Sequence, residues 1–424
     1  MNPFEQKAKP LDECIMDWQG MFPGAYDKHT VDPYTRTRVI LMNGTEFEAN
    51  WFSHQFSRHC DDNDVRRHLA LLRRLEQQQQ KLISVLKPAD ELPLEHTIGY
   101  EQLAVDLTAW LARHEPDEHV KNALDFALLE DFDHLYRYAD LLEMEAGAQA
   151  EQLVGRYTEI MPGRPTISEH RYPFDDIRAH IDDKTAAPQT KLCVGIITAA
   201  EQQTMNYYMN LSGSYPHDRG RKLYQEIGMI EEQHVSQYGS LIDTNATWME
   251  CALMHQYTEG YLYYSCMETE TDVRIKKVWE CLLEQEIAHL HATKRLLEKL
   301  ERKEYQQVVG EGSFPEPLRL CSQVDYVRDV LAKTVQLTAM RESYGCVDEL
   351  KPEAEFFQYQ QALNHDVGSV ASHRVIDDHI RQFGQDYRWE TAENPIEALR
   401  DRKQDNTDVG RTPGSAGKCL QKTM

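Results

Sequence analysis

Three acid/histidine pairs at i and i+3 are the feature of this chain with chemical content: Asp131/His134, Glu231/His234 and Glu286/His289. On a helix that spacing puts both side chains on one face, where a carboxylate and an imidazole can share a cation. With 18 histidines and 70 acids in 424 residues, chance alone gives a comparable number of such pairs, so their placement carries the information. Each pair sits in the middle of an apolar-patterned helical segment and follows a Glu on the segment before it. Glu101 precedes Asp131 by 30 residues, Glu201 precedes Glu231 by 30, and Glu259 precedes Glu286 by 27. Residues equidistant from the turn of an antiparallel helix hairpin face each other. Turns at Pro116 and Pro216 therefore set Glu101 opposite Asp131 and Glu201 opposite Glu231. A turn near Thr271 brings Glu259 within one helical turn of Glu286.

The elements that must hold these residues are helices. Glycine and proline are sparse and clustered, and the segments between are rich in Leu, Glu, Gln, Ala, Met and Arg at helical spacing. This predicts an all-α fold with helices near 52–86, 96–113, 118–145, 191–211, 219–242, 247–268, 273–303, 323–343 and 352–382. Before the first of them, Asn43-Gly44 predicts a short hairpin, because Asn-Gly suits a type I′ turn. LRRLEQQQQKLISVL reads as an exposed amphipathic helix that packs against the bundle or a partner subunit. The polar tail after residue 394 reads as disordered. Four regions follow: an N-terminal extension over 1–90, a bundle of three helix hairpins over 91–305, C-terminal helices packing on it over 306–393, and the tail 394–424. Laying 91–145 on 191–245 without gaps aligns Glu101/Glu201, Gln102/Gln202, Pro116/Pro216, His134/His234, Tyr138/Tyr238 and Leu141/Leu241, with Asp131 over Glu231, as in a duplicated hairpin.

With KKVWECLLEQEIAHLHATKRLLEKLE and RKLYQEIGMIEEQHVSQYGSLI in view, the chain resembles the ferritin-like di-iron carboxylate superfamily, its rubrerythrin branch in particular, over roughly residues 96–303. The resemblance implies a four-helix bundle, elaborated here with flanking helices, in which two helices supply Glu and two supply Glu-x-x-His to a pair of metal ions. Carboxylates are hard, bridging, anionic ligands that suit iron or manganese, and the imidazoles complete each coordination sphere. Hairpins one and two would give Glu101, Asp131, His134, Glu201, Glu231 and His234. Hairpins two and three would give Glu201, Glu231, His234, Glu259, Glu286 and His289. The long link 146–190 can run back along a bundle and favours the first set, whereas the uniform Glu-x-x-His motifs favour the second. Glu130 competes locally with Asp131. Asp133 and Glu232 read as surface charges, the many tyrosines as core or rim, His255 as a buried hydrogen-bonded histidine, and His365, His373 and His379 as lacking the acid/His order of a second site.

The expected function is that of a non-haem di-iron, or iron–manganese, oxidoreductase acting on O2 or peroxide. The scattered cysteines make no four-thiolate iron module, so the resemblance implies a separate electron donor. The alternatives are an iron-oxidising or storage-type protein without an organic substrate, and a metal-free helical interaction protein. A net charge of −24 argues against nucleic acid or an anionic membrane as partner. No stretch has the roughly 20 apolar residues of a membrane span and the N-terminus has no signal-peptide core. A cytoplasmic protein with buried free thiols is expected, and homodimerisation is the default for such a chain.

Overall fold

A computed structural model describes residues 1–389. The fold is all-α. In chain order the helices are α1 (Pro33–Arg58), α2 (Asn63–Ser84), α3 (Pro93–His114), α4 (Glu118–Ala146), α5 (Ala150–Val154), α6 (Thr166–Glu169), α7 (Pro188–Ser214), α8 (Asp218–Ser240), α9 (Trp248–Thr269), α10 (Val273–Glu301), α11 (Gln306–Val309), α12 (Val324–Thr334), α13 (Glu355–Asn364) and α14 (Ala371–Phe383). The sheet content among the described residues is one antiparallel hairpin, β1 (Leu337–Met340) with β2 (Ser343–Cys346), paired Leu337 to Cys346 and Met340 to Ser343. No helix among them is long and apolar enough to cross a membrane.

Local chemistry sets the helix ends. Asp32, Asp62, Asp117 and Asp272 each accept hydrogen bonds from the first free amides of α1, α2, α4 and α10, and Pro33, Pro93 and Pro188 open α1, α3 and α7 where a missing N–H costs nothing. Thr247 and Glu250 form a reciprocal capping box on α9, and Gly147 closes α4 in the left-handed conformation.

The eight long helices α1–α4 and α7–α10 make four antiparallel hairpins: α1–α2, α3–α4, α7–α8 and α9–α10. Hairpin α3–α4 packs on α7–α8, with α3 against α7 and α4 against α8. Hairpin α1–α2 packs on α9–α10, with α1 against α9 and α2 against α10. Helix α1 also lies against α3 and α7 and joins the two four-helix groups, and one apolar core runs through both. Helices α12 and α14 pack on α4, and α14 also on α8.

Several expectations are corrected here. The segment 52–86 is not one helix. It breaks at Cys60–Asp62, and the upstream helix begins at Pro33, so Asn43-Gly44 lies in the middle of α1 rather than in a hairpin turn. The α2 segment is amphipathic, but its Glu76 and Gln79 are buried rather than exposed. Beyond 323, the helix stops at Thr334 and gives way to the β-hairpin, and 352–382 is split between α13 and α14. Cys281 and Cys321 are exposed, whereas Cys14, Cys193 and Cys266 are buried. The tail 394–424 lies outside the described residues.

Gly44 is in α1 because α7 comes close. A Cβ at this position would stand 2.9 Å from Gln203 Cβ and 3.1 Å from its Cγ. Gly44→Ala is therefore expected to destabilise the fold. The overpacking costs about 1–3 kcal/mol, against a helix-propensity gain of up to about 1 kcal/mol. A urea midpoint equal to or above wild type would contradict this.

Candidate metal centre

Helices α3 and α4 are buried all round over most of their length, α7 and α8 on one side, and at mid-height their apolar packing is interrupted by acids and histidines. Glu101, Asp131, His134, Glu201, Glu231 and His234 are all buried. Their ligand atoms fall into two overlapping groups, each with mutual separations within 4.8 Å: Glu101, Asp131, His134 and Glu231 in one, Asp131, Glu201, Glu231 and His234 in the other. Asp131 and Glu231 belong to both. Each group thus has a private Glu and a private imidazole, and two carboxylates lie between the groups. This is the arrangement of the first of the two alternative ligand sets.

The histidines are oriented alike. His134 Nδ1 lies 3.1 Å from Glu231 Oε1, and its Nε2 3.0 Å from Glu169 Oε2. His234 Nδ1 lies 3.2 Å from Glu231 Oε2 and 3.3 Å from Asp131 Oδ1, and its Nε2 2.6 Å from Glu130 Oε2. In each ring Nδ1 faces the cluster while Nε2 is held by a carboxylate outside it, the pattern by which outer groups fix the tautomer and direction of a ligating imidazole. Glu130 is thereby an orienting group, not a competitor of Asp131. Its other oxygen is taken by Arg171 at 2.5 Å and Arg164 at 3.2 Å.

The outer ring of charges comes from the long link 147–187. Glu169 lies on α6, and Arg164 and Arg171 flank it. Asp133, read from the sequence as a surface charge, is buried. It accepts from Arg137 Nε and from the amides of Gly163 and Thr166, and so ties the link to α4. Glu232 is exposed as expected. Tyr208 donates to Glu101 Oε1 at 2.5 Å. Tyr138 and Tyr238, each four residues beyond a site histidine, are fully buried with hydroxyls that have no protein partner.

Electrostatics reflect the crowding. Burial raises Glu101, reinforced by Glu231, and burial raises Asp131, reinforced by Glu201. Glu201 is pushed up to about 7, mainly by burial. Burial acts the same way on Glu231, but the hydrogen bond from His134 and the close His234 ring overcome it and hold this carboxyl at about 2. Burial would lower both imidazoles. The charges of Glu169 on His134 and Asp131 on His234 outweigh it and raise them well above their ordinary value. Without a cation, protons therefore balance the buried acids. Both oxygens of Asp131 and of Glu201, Glu231 Oε2, Glu101 Oε2 and His234 Nδ1 make no aligned hydrogen bond. Buried acceptors are seldom left in this way, and two cations inside the two groups would satisfy these atoms.

Among the described residues Glu259, Glu286 and His289 are not grouped with this cluster; α9 packs against α1 and also α7, and α10 against α2. His255 is partly buried, with Nδ1 2.8 Å from Cys251 O and Nε2 2.8 Å from Glu48. His379 groups with Asp140 and Asp386, but the guanidinium of Arg388 reaches Asp140 at 2.7 Å and already supplies the positive charge there. The sequence reading missed Glu169 and Arg171, which sit at the end of the four-residue α6 and just beyond it, too short a stretch for periodicity to mark them. No protein-family model, curated protein or solved structure matches the chain.

Proposed function

We propose that this chain is a ferritin-like, non-haem di-metal carboxylate oxidoreductase that holds two iron ions, or iron and manganese, and acts on O2 or peroxide. One observation carries the reading: two buried groups of three carboxylates and one imidazole share Asp131 and Glu231, and both imidazoles turn Nδ1 inward. Bound there, a pair of redox-active ions would supply the electrons for reducing O2 or peroxide. The chain's own part is positioning and proton supply. Glu169 and Glu130 hold the two rings, and Tyr208 fixes one oxygen of Glu101 so that the other stays directed at the cluster. The hydroxyls of Tyr138 and Tyr238, on the helices that carry the histidines, are buried and unpartnered.

The test is elemental analysis after anaerobic Fe(II) loading of protein purified without chelators. Wild type should hold two ions that the variant Glu201→Ala, Glu231→Ala, His234→Ala does not. Equal metal content in the two would overturn the reading. The same site predicts a pH dependence. Glu101, Asp131, His134 and His234 have raised pKa values, so in the metal-free protein they keep protons that ligation must displace. Apparent Fe(II) affinity should rise with pH, by about tenfold per pH unit for each proton displaced. Calorimetry in buffers of different ionisation enthalpy reads the proton count, and zero release would contradict it.

A further inference from the structure

The α1–α2 and α9–α10 hairpins repeat the plan of the metal-centre hairpins. Glu46 on α1 and Glu76 on α2 are 30 residues apart and symmetric about Asp61 in their turn, as Glu101 and Asp131 are about Pro116 and Glu201 and Glu231 about Pro216. Three residues after Glu76 comes Gln79, and three after Glu286 comes His289, at the positions that His134 and His234 hold in the other group. The helices α1 and α9, which carry Glu46 and Glu259, pack together, and so do α2 and α10. Glu46, Glu76, Glu259, Glu286 and His289 are all buried.

This second polar core is not self-contained. Gln79 Nε2 donates to Glu286 Oε1 at 2.7 Å, and Gln256 Nε2 donates to Glu76 Oε1 at 3.0 Å and Glu259 Oε2 at 2.8 Å. Tyr263 donates to Glu46 Oε1 at 2.5 Å. Each carboxylate has one oxygen engaged. The other is left: Glu46 Oε2, Glu76 Oε2, Glu259 Oε1 and Glu286 Oε2, together with the amide oxygens of Gln79 and Gln256. Neither ring nitrogen of His289 makes an aligned hydrogen bond, although Nδ1 stands 3.0 Å from Glu286 Oε1. Among the described residues, none of these four acids forms an ion pair with Lys or Arg, in contrast to Glu130. A set of buried acceptors without a matching charge is what a cation satisfies and a hydrogen-bond network does not. At its edge, Glu259 lines a cleft between α1, α7 and α9 that also carries Glu48, Asp183, Asp243, Lys191 and His255.

We infer that this core is a second, separate metal site that takes one hard divalent ion of the Mn(II) or Fe(II) type among Glu76, Glu259, Glu286 and His289, with Gln79 standing where the first centre has an imidazole. One ion, not two, follows from the single imidazole. Among the described residues no three of these acids and His289 bring ligand atoms within 4.8 Å of one another, so their side chains must draw in on the ion. Carboxylate and amide oxygens with one nitrogen suit such an ion and not a thiophilic one. The inference does not rest on the function proposed above.

The test uses the full chain and Mn(II), counting bound ions by equilibrium dialysis with elemental analysis. Wild type should bind three Mn(II). Glu286→Gln with His289→Gln should remove one and leave two, and Glu231→Ala with His234→Ala should remove two and leave one. Gln79→His adds an imidazole and should tighten the single-ion class by about tenfold or more, a gain that misfolding cannot imitate. If the first centre fails but this inference holds, wild type binds one ion that only the Glu286/His289 variant loses. A wild-type count without the extra ion, an extra ion that survives Glu286→Gln with His289→Gln, or no tightening by Gln79→His would overturn the inference.

Discussion

Replacing Glu231 by alanine is expected to cost the protein both ions proposed for the first centre and, with them, the redox activity proposed for it. The residue is buried, belongs to both ligand groups, and is the carboxylate that each site imidazole faces through Nδ1. It is also the acid of this cluster that is most firmly ionised, held at about 2 by the hydrogen bond from His134 and the close His234 ring, which overcome burial. No neighbour can substitute, since Asp131 is already shared and one methylene shorter. The loss of affinity should exceed the roughly 10–100-fold typical of groups outside the ligand shell. Elemental analysis and Fe(II)-dependent consumption of O2 or peroxide read the outcome. Glu231→Gln separates charge from shape and should also fail to hold metal. Glu232→Ala, one position away on the exposed face, is the control and should behave as wild type. A Glu231→Ala protein that keeps two ions at this centre would refute the shared-carboxylate arrangement.

The second large effect belongs to Glu130, which is not itself one of the grouped ligand residues. Glu130→Ala removes the partner of His234 Nε2 and leaves the buried guanidiniums of Arg164 and Arg171 short of a negative charge. Breaking a buried ion network from one side costs about 3–5 kcal/mol, because the remaining charge has neither water nor partner. Arg171 keeps Asp176 at 2.8 Å and Arg164 keeps the Phe126 carbonyl at 3.0 Å, which bounds the loss. Denaturant midpoints of the metal-free protein measure it. Metal affinity should fall as well, by about 10–100-fold, through loss of ring orientation. The pH dependence has a definite sign. Burial alone would raise Glu130, but Arg171, His234 and Arg164 hold it at about 2, below its ordinary 4.5. Its contribution is fully present above the ordinary value and is lost as pH falls toward 2, so the gap between wild type and variant should narrow over that interval. A gap that widens on acidification would rule out this pairing.

What the chain alone determined is what periodicity and distance from a turn can encode. An i, i+3 acid and histidine share a helix face whatever surrounds the helix, and Pro116 and Pro216 end helices for local steric reasons. The opposition of Glu101 to Asp131 and of Glu201 to Glu231 was therefore readable before any packing was known. The same rule applies to Glu46 and Glu76, but their turn at Cys60–Asp62 has no Pro or Gly, and Asn43-Gly44 gives a competing local signal. Tertiary structure overrode that signal, because in α1 the glycine serves the approach of Gln203 rather than a turn. Only packing decided which hairpins pair, since each presents the same kind of face and any two could in principle close a bundle. Packing also decided that Glu130 and Asp133 are inside and Glu232 outside, and it brought Glu169 and Arg171 from an irregular link onto the metal-centre helices. Those contacts join residues 34 to 64 positions apart through chain without a repeat, so nothing local records them.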